Sequence, residues 1–100
     1  MSADRNVVEL VGTVAGDPKR RDLPGGDPVY QFDVRTFDNN VPVVADGHVW
    51  GIAHLAAGDR VEVHGTIRRR FFRVGGVTQS RTEVVADTLR RITPTKGESS

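Results

Sequence analysis

Cysteine is absent from this 100-residue chain, which removes thiol catalysis, disulfides and thiolate zinc sites from consideration. No apolar run is long enough to cross a bilayer, and Met1-Ser2-Ala3-Asp4-Arg5 lacks an apolar signal region. A cytoplasmic protein with no membrane partner is expected. The three histidines, His48, His54 and His64, lack the spacing of metal ligands, so no metal is expected. Nothing in the sequence pairs Asp17, Glu83 or Asp87 with a nucleophile, a phosphate-cradling loop or a base in the manner catalysis needs. The chain therefore reads as a non-enzyme with no cofactor and no small-molecule substrate. Aromatics are scarce: one tryptophan, one tyrosine and four phenylalanines.

Net charge is also small, +1, but its distribution is uneven. Basic residues gather at Lys19-Arg20-Arg21, between Arg68 and Arg81, and at Arg90-Arg91, while the acids are dispersed. Twelve of the fourteen basic residues are arginine, the side chain suited to bidentate phosphate contact and to stacking.

The stretch Ile67 to Arg81 organises the rest. Gly75-Gly76 divides two runs rich in β-branched, aromatic and arginine residues, and a Gly-Gly pair supplies the positive φ of a two-residue hairpin turn. That turn sets Val74 against Val77, Phe72 against Gln79, Arg70 against Arg81, Arg68 against Glu83 and Ile67 against Val84. Alternation places Val61, Val63, Ile67, Thr82 and Val84 on one side and Arg68, Arg70, Phe72, Gln79 and Arg81 on the other. Two arginines opposed across a ladder repel, and an anion lying over them would remove the conflict. Guanidinium groups beside a ring suit a nucleic-acid strand, which brings phosphates and base faces. A solvated arginine-rich hairpin with no ligand is the blander alternative.

Taken in order, Val7 to Val14 reads as the first strand, with Gly12 marking a bulge or sharp bend, and Asp17-Pro18 as its end. Lys19 to Gly26 reads as a loop. Val29 to Phe37 alternates as a second strand, with Arg35 and Phe37 on the side of Gln31. A turn at Asp38-Asn39-Asn40 returns the chain as a third strand, Val41 to Trp50, and Ile52 to Ala57 has room only for a very short helix. Arg60 to Arg73 and Val77 to Leu89 form strands four and five. By the same alternation Tyr30 and Phe71 are assigned to the core. Residues 93–100 are polar, with Pro94 and Gly97, and are expected to be a disordered tail after a single domain over residues 1–92. The order β-β-β-short helix-β-β fits an all-β, five-stranded Greek-key barrel of the OB-fold type, with a β-sandwich or SH3-like barrel left open by periodicity alone.

An ordered series of residues resembles the bacterial single-stranded DNA-binding protein family. It comprises Asn6, Val8, Leu10, Val11, Gly12, Val14, Asp17, Pro18 and Arg21; Pro24, Gly26, Phe32, Val34 and Thr36; Val61, Val63, Gly65, Ile67, Arg70 and Phe72; and Thr82-Glu83-Val84-Val85-Ala86-Asp87 with Leu89. The resemblance implies an OB fold that holds single-stranded DNA without sequence preference, in replication, recombination or repair, as a nucleoid-associated homo-oligomer, dimer or tetramer. The first strand, with Val7, Glu9 and Val11 on one face, would serve that assembly.

Trp50 and Phe72 stand at two of the family's four base-stacking places, whereas Asn40 and Val44 stand at the others. Phe37 is the better compensating ring. The residues that the resemblance and the charge pattern assign to nucleic acid are Phe72, Trp50, Arg70, Arg68, Arg81, Arg73, Arg35, Phe37 and Arg21. The segment between Thr36 and Gly51 is shorter than in the family, and a member without the family's acidic tail is expected. These departures support a second reading: a diverged OB-fold interaction or assembly protein with weak or no DNA binding, which co-assembles with a full-length homologue.

Overall fold

A computed structural model describes residues 3–49 and 51–92. Five strands, β1 (Val8–Arg21), β2 (Val29–Thr36), β3 (Asn39–Asp46), β4 (Arg60–Val74) and β5 (Val77–Arg91), carry the chain, with one 3-10 turn at Ile52–His54. They close into a barrel in the order β1-β2-β3-β5-β4. Closure depends on β1, which pairs with β4 from Val8 to Thr13 and with β2 from Thr13 onward. Gly12 sits at that switch because a Cβ there would lie 2.3 Å from the Arg35 carbonyl oxygen. Only a residue without a side chain lets the neighbouring strand approach so closely.

The barrel interior is filled by inward positions of every strand: Val14, Phe32, Val34, Val43, Ala45, Val61, Val63, Val84, Ala86 and Leu89, sealed below by Val49, Ile52 and Leu55. Tyr30 packs against this core, as its strand parity implies. Parity survives one irregularity: between His64↔Thr88 and Gly65↔Ala86 the register slips, leaving Asp87 unpaired on β5. Gly65 is required there, since a Cβ would meet the Val85 carbonyl oxygen at 1.9 Å.

Several boundaries differ from the sequence reading. Strand β1 runs on to Arg21 instead of ending at Asp17-Pro18, because the irregularity lies between Ala15 and Lys19, after Gly16 at φ 85°, and the ladder with β2 then resumes. The β2–β3 turn is Phe37-Asp38, closed by Thr36↔Asn39, one residue tighter and earlier than expected. Strand β3 stops at Asp46, where its carboxylate accepts the His48 backbone N–H at 2.9 Å and Gly47 N–H binds the Pro28 carbonyl at 2.8 Å. The short helix shrinks to a single 3-10 turn.

The hairpin register matches the expected one throughout, with Gly75 and Gly76 both at positive φ. Pairing of β1 to β4 begins at Gly65, and pairing of β3 to β5 begins at Val84. Beyond those points β4 and β5 continue as a two-stranded arm of about 25 Å, from roughly 3.4 Å per residue over Ile67 to Val74. The Asn6 side chain pins the arm's root: its Oδ1 accepts the Ile67 N–H and its Nδ2 donates to the Ile67 carbonyl, both at 2.8 Å.

Candidate nucleic-acid interface

Outward positions of β2, β3 and the arm root form one surface. Arg21 and Leu23 from the end of β1 and its loop, Val29 and Gln31 of β2, Val44 of β3, Arg68 and Arg70 of β4, and Glu83 of β5 line a hollow of about 210 Å³. A neighbouring hollow of about 420 Å³, which shares Gln31, is lined by Ala15, Gly16, Asp17, Lys19, Phe32, Asp33 and Arg81. Together they make a groove between the outer β1–β3 surface and the overhanging arm. This is the surface on which OB-type barrels hold oligonucleotides and oligosaccharides.

Arg70, Arg81 and Phe72 sit on the groove side of the arm, and the Arg70 guanidinium lies over the half-buried Phe72 ring at 5.4 Å from its centroid. A guanidinium and a ring held together offer charge for a phosphate and a face for a base.

The arginines are not left to repel one another. Glu83, 1% exposed, is buried beneath them. Its Oε2 accepts Arg68 Nη2 at 2.6 Å and Arg70 Nε at 3.3 Å, and its Oε1 faces Arg81 Nε at 3.8 Å. Oε1 has no hydrogen bond of its own. The conflict between Arg70 and Arg81 is thus met by an internal carboxylate, and no external anion is needed to relieve it. Three cations on one anion still leave the cluster positive, and the guanidiniums, 35–49% exposed, turn their remaining donors outward.

The other assigned residues are scattered. Arg21 reaches the groove through the continuation of β1. In the same basic run, Arg20 pairs with Asp22 at 3.0 Å instead. That hydrogen bond and the Asp22 charge hold its guanidinium above its ordinary value. Arg35 is exposed on β2. Phe37 is fully exposed at the β2–β3 turn with φ 52°, so strand parity with Gln31 and Arg35 does not set its direction. Arg73 projects from the opposite side of the arm and donates to the Gly76 carbonyl at 2.9 Å. Trp50 lies outside the described residues.

Phe71 is a correction: it is 63% exposed and not in the core. Alternation does put it on the core side of its strand, but the arm has left the barrel at that point, and among the described residues neither β1 nor β3 extends to cover it. Glu83 is the residue of this surface to which the sequence reading gives no role. Its signal was the register opposite Arg68.

Strand pairing also gathers titratable groups that spacing had kept apart. Glu9 meets His64 at 3.6 Å across the β1–β4 ladder, Glu62 lies 2.6 Å from His64 along β4 itself, and Glu62 also pairs with Arg90. Hydrogen bonding from His64, then from Arg90, holds the Glu62 carboxyl below its usual range. Asp27 lies 2.6 Å from His48, near Asp46. Both groups are internally paired, the second exposed and the first centred on a half-buried Glu62. Among the described residues no helix is long and apolar enough to cross a membrane.

No protein-family model matches the chain. No curated protein matches it either. Its fold is similar to a solved structure of the Plasmodium falciparum SSB complex with ssDNA, with a TM-score of 0.73 and 20% sequence identity. The superposition covers 93% of this chain and 99% of that one. A likeness at that identity speaks for an OB-like, SSB-like fold.

Proposed function

We propose that this chain is a non-enzymatic module that binds single-stranded DNA without sequence preference, by stacking bases on Phe72 and by arginine contacts to phosphate, in replication, recombination or repair. The observation that carries the reading is the groove itself. Arg21, Arg68, Arg70 and Arg81 border it, and the Phe72 ring lies against the Arg70 guanidinium on the same side of the arm. The similar Plasmodium SSB is a complex with ssDNA, which agrees with that use of the fold. Trp50 and Phe37 are the further stacking candidates, and Arg35 and Arg73 the further phosphate candidates.

The test is a salt titration. Each arginine that meets a phosphate contributes about −0.7 to the log–log slope on a single strand, so four groove arginines give about −3. A parent protein that binds oligothymidylate with no salt dependence, or does not bind at low salt, refutes the reading. Phe72→Ala should weaken binding about 5- to 150-fold, from roughly 1–3 kcal/mol per stacked base.

A second reading rests on a different observation. Glu83 already takes part of the charge of Arg68, Arg70 and Arg81, and Val7 and Val11 on or beside β1 are 79% and 43% exposed. An assembly protein that forms homo-oligomers or joins a full-length homologue through β1 would use those features. In that case Val11→Glu lowers the solution mass while ssDNA has no effect on Trp50 fluorescence.

A further inference from the structure

The side of the arm turned away from the groove differs from the groove side in one respect that matters for ligands. Its positions are Ile67, Arg69, Phe71 and Arg73 on β4, paired with Val84, Thr82, Ser80 and Thr78 on β5. Apart from Val84 at the root, the β5 members are short hydroxyl side chains, and no acid occurs among the eight. The Arg69 guanidinium lies over the Phe71 ring at 5.2 Å from its centroid, the mirror of the Arg70–Phe72 stack. Phe71 is 63% exposed, more open than Phe72. Arg69 donates to Ser80 Oγ at 3.2 Å and Arg73 to the Gly76 carbonyl, both neutral acceptors. Among the described residues no carboxylate pairs with either, whereas Glu83 takes up charge on the other side.

We infer that this outer side of the arm is a second binding surface for single-stranded nucleic acid, with a base on Phe71 and phosphates on Arg69 and Arg73. The inference rests on the ligand proposed above and extends it: a strand laid in the groove turns over the arm and is gripped on both of its sides. Charge complementarity selects the occupant. An apolar protein partner would bury two guanidiniums with no carboxylate to receive them, at a cost that phosphates remove. Arg69 and Arg73 flank Phe71 by two residues each, so about 7 Å of strand separates each charge from the ring.

The test compares the intact chain, Phe71→Ala, Phe72→Ala and Arg69→Gln/Arg73→Gln on oligothymidylates of about 8 and about 30 nucleotides, since one OB domain covers roughly 4–16. Phe72→Ala should weaken both lengths. Phe71→Ala should leave the short strand within about twofold and weaken the long one about tenfold, within the range of one lost stack. The double arginine variant should reduce the salt slope on the long strand by about 1.4. Long-strand binding unchanged in both outer-side variants overturns the inference while leaving the groove reading intact. So does equal weakening of both lengths by Phe71→Ala, which would mean a single shared site. A lower solution mass for Phe71→Ala also overturns it, because a second copy of the chain would then cover this side. If the intact chain binds neither strand but Phe71→Ala keeps its mass, the groove reading and the inference fall together.

Discussion

Replacing Glu83 with glutamine removes one negative charge at constant shape from beneath three arginines. The carboxylate has no solvent exposure of its own, and its closest contacts are 2.6, 3.3 and 3.8 Å. Each such contact is worth about 4–6 kcal/mol of raw attraction at an effective dielectric near 20, before desolvation is subtracted. Breaking a fully buried pair costs about 3–5 kcal/mol, because a charge is stranded without a partner. Here the stranded groups are guanidiniums that keep 35–49% of their surface in water, so rehydration and screening recover part of that loss.

The expected destabilisation of Glu83→Gln is therefore about 2 kcal/mol, or about 10 °C in Tm for a domain of this size. Arg70 and Arg81, opposed across the ladder, are then left in uncompensated repulsion. Salt screens exposed like charges, so the gap between the parent and the variant should narrow as ionic strength rises. Urea unfolding followed by circular dichroism at low and high salt measures both quantities. A loss below about 0.5 kcal/mol, or a gap that widens with salt, would show that the carboxylate does not hold the cluster together. Adding Arg70→Gln to Glu83→Gln should cost less than the sum of the single changes, because the two side chains share one interaction.

Gly65→Ala should cost at least about 3 kcal/mol in thermal unfolding, since its Cβ would meet the Val85 carbonyl oxygen at 1.9 Å; Gly26→Ala, with nothing nearer than 4.0 Å, should stay within about 0.5 kcal/mol. Asn6→Ala removes both bonds to the Ile67 backbone and should destabilise by about 1–2 kcal/mol, with amide exchange in the arm rising more than in the barrel. Glu62 has a folded-state value below the usual 4.5, so its stabilisation is present above about pH 4.5 and is lost as pH falls through the lowered value. Thermal unfolding of the parent and Glu62→Gln should accordingly differ near neutrality and converge in acid; curves that stay parallel to the lowest pH refute the assignment.

Local rules carried the sequence reading far. The Gly75-Gly76 turn has only one register compatible with its positive φ pair, and that register fixed every partner along the arm, Arg68↔Glu83 and Arg70↔Arg81 included. Two-residue alternation then separated the groove side from the core side, and it put Val61, Val63 and Val84 in the interior. Strand ends were less legible. Whether β1 stops at Asp17 or bulges after Gly16 and resumes depends on β2 lying alongside to receive Lys19 to Arg21.

From residues alone came an all-β chain with five strands, the hairpin register, and an arginine face carrying Phe72, because turn chemistry and side-chain period are properties of a few adjacent residues. Tertiary structure decided the rest. The distance the arm runs past its neighbours exposes Phe71, and three arginine side chains folded onto Glu83 cover its carboxylate. Burial is a property of what packs around a residue: β1 and β3, which stop pairing before the arm, leave Phe71 uncovered, while Glu83 takes its cover from long side chains whose direction the register alone does not fix.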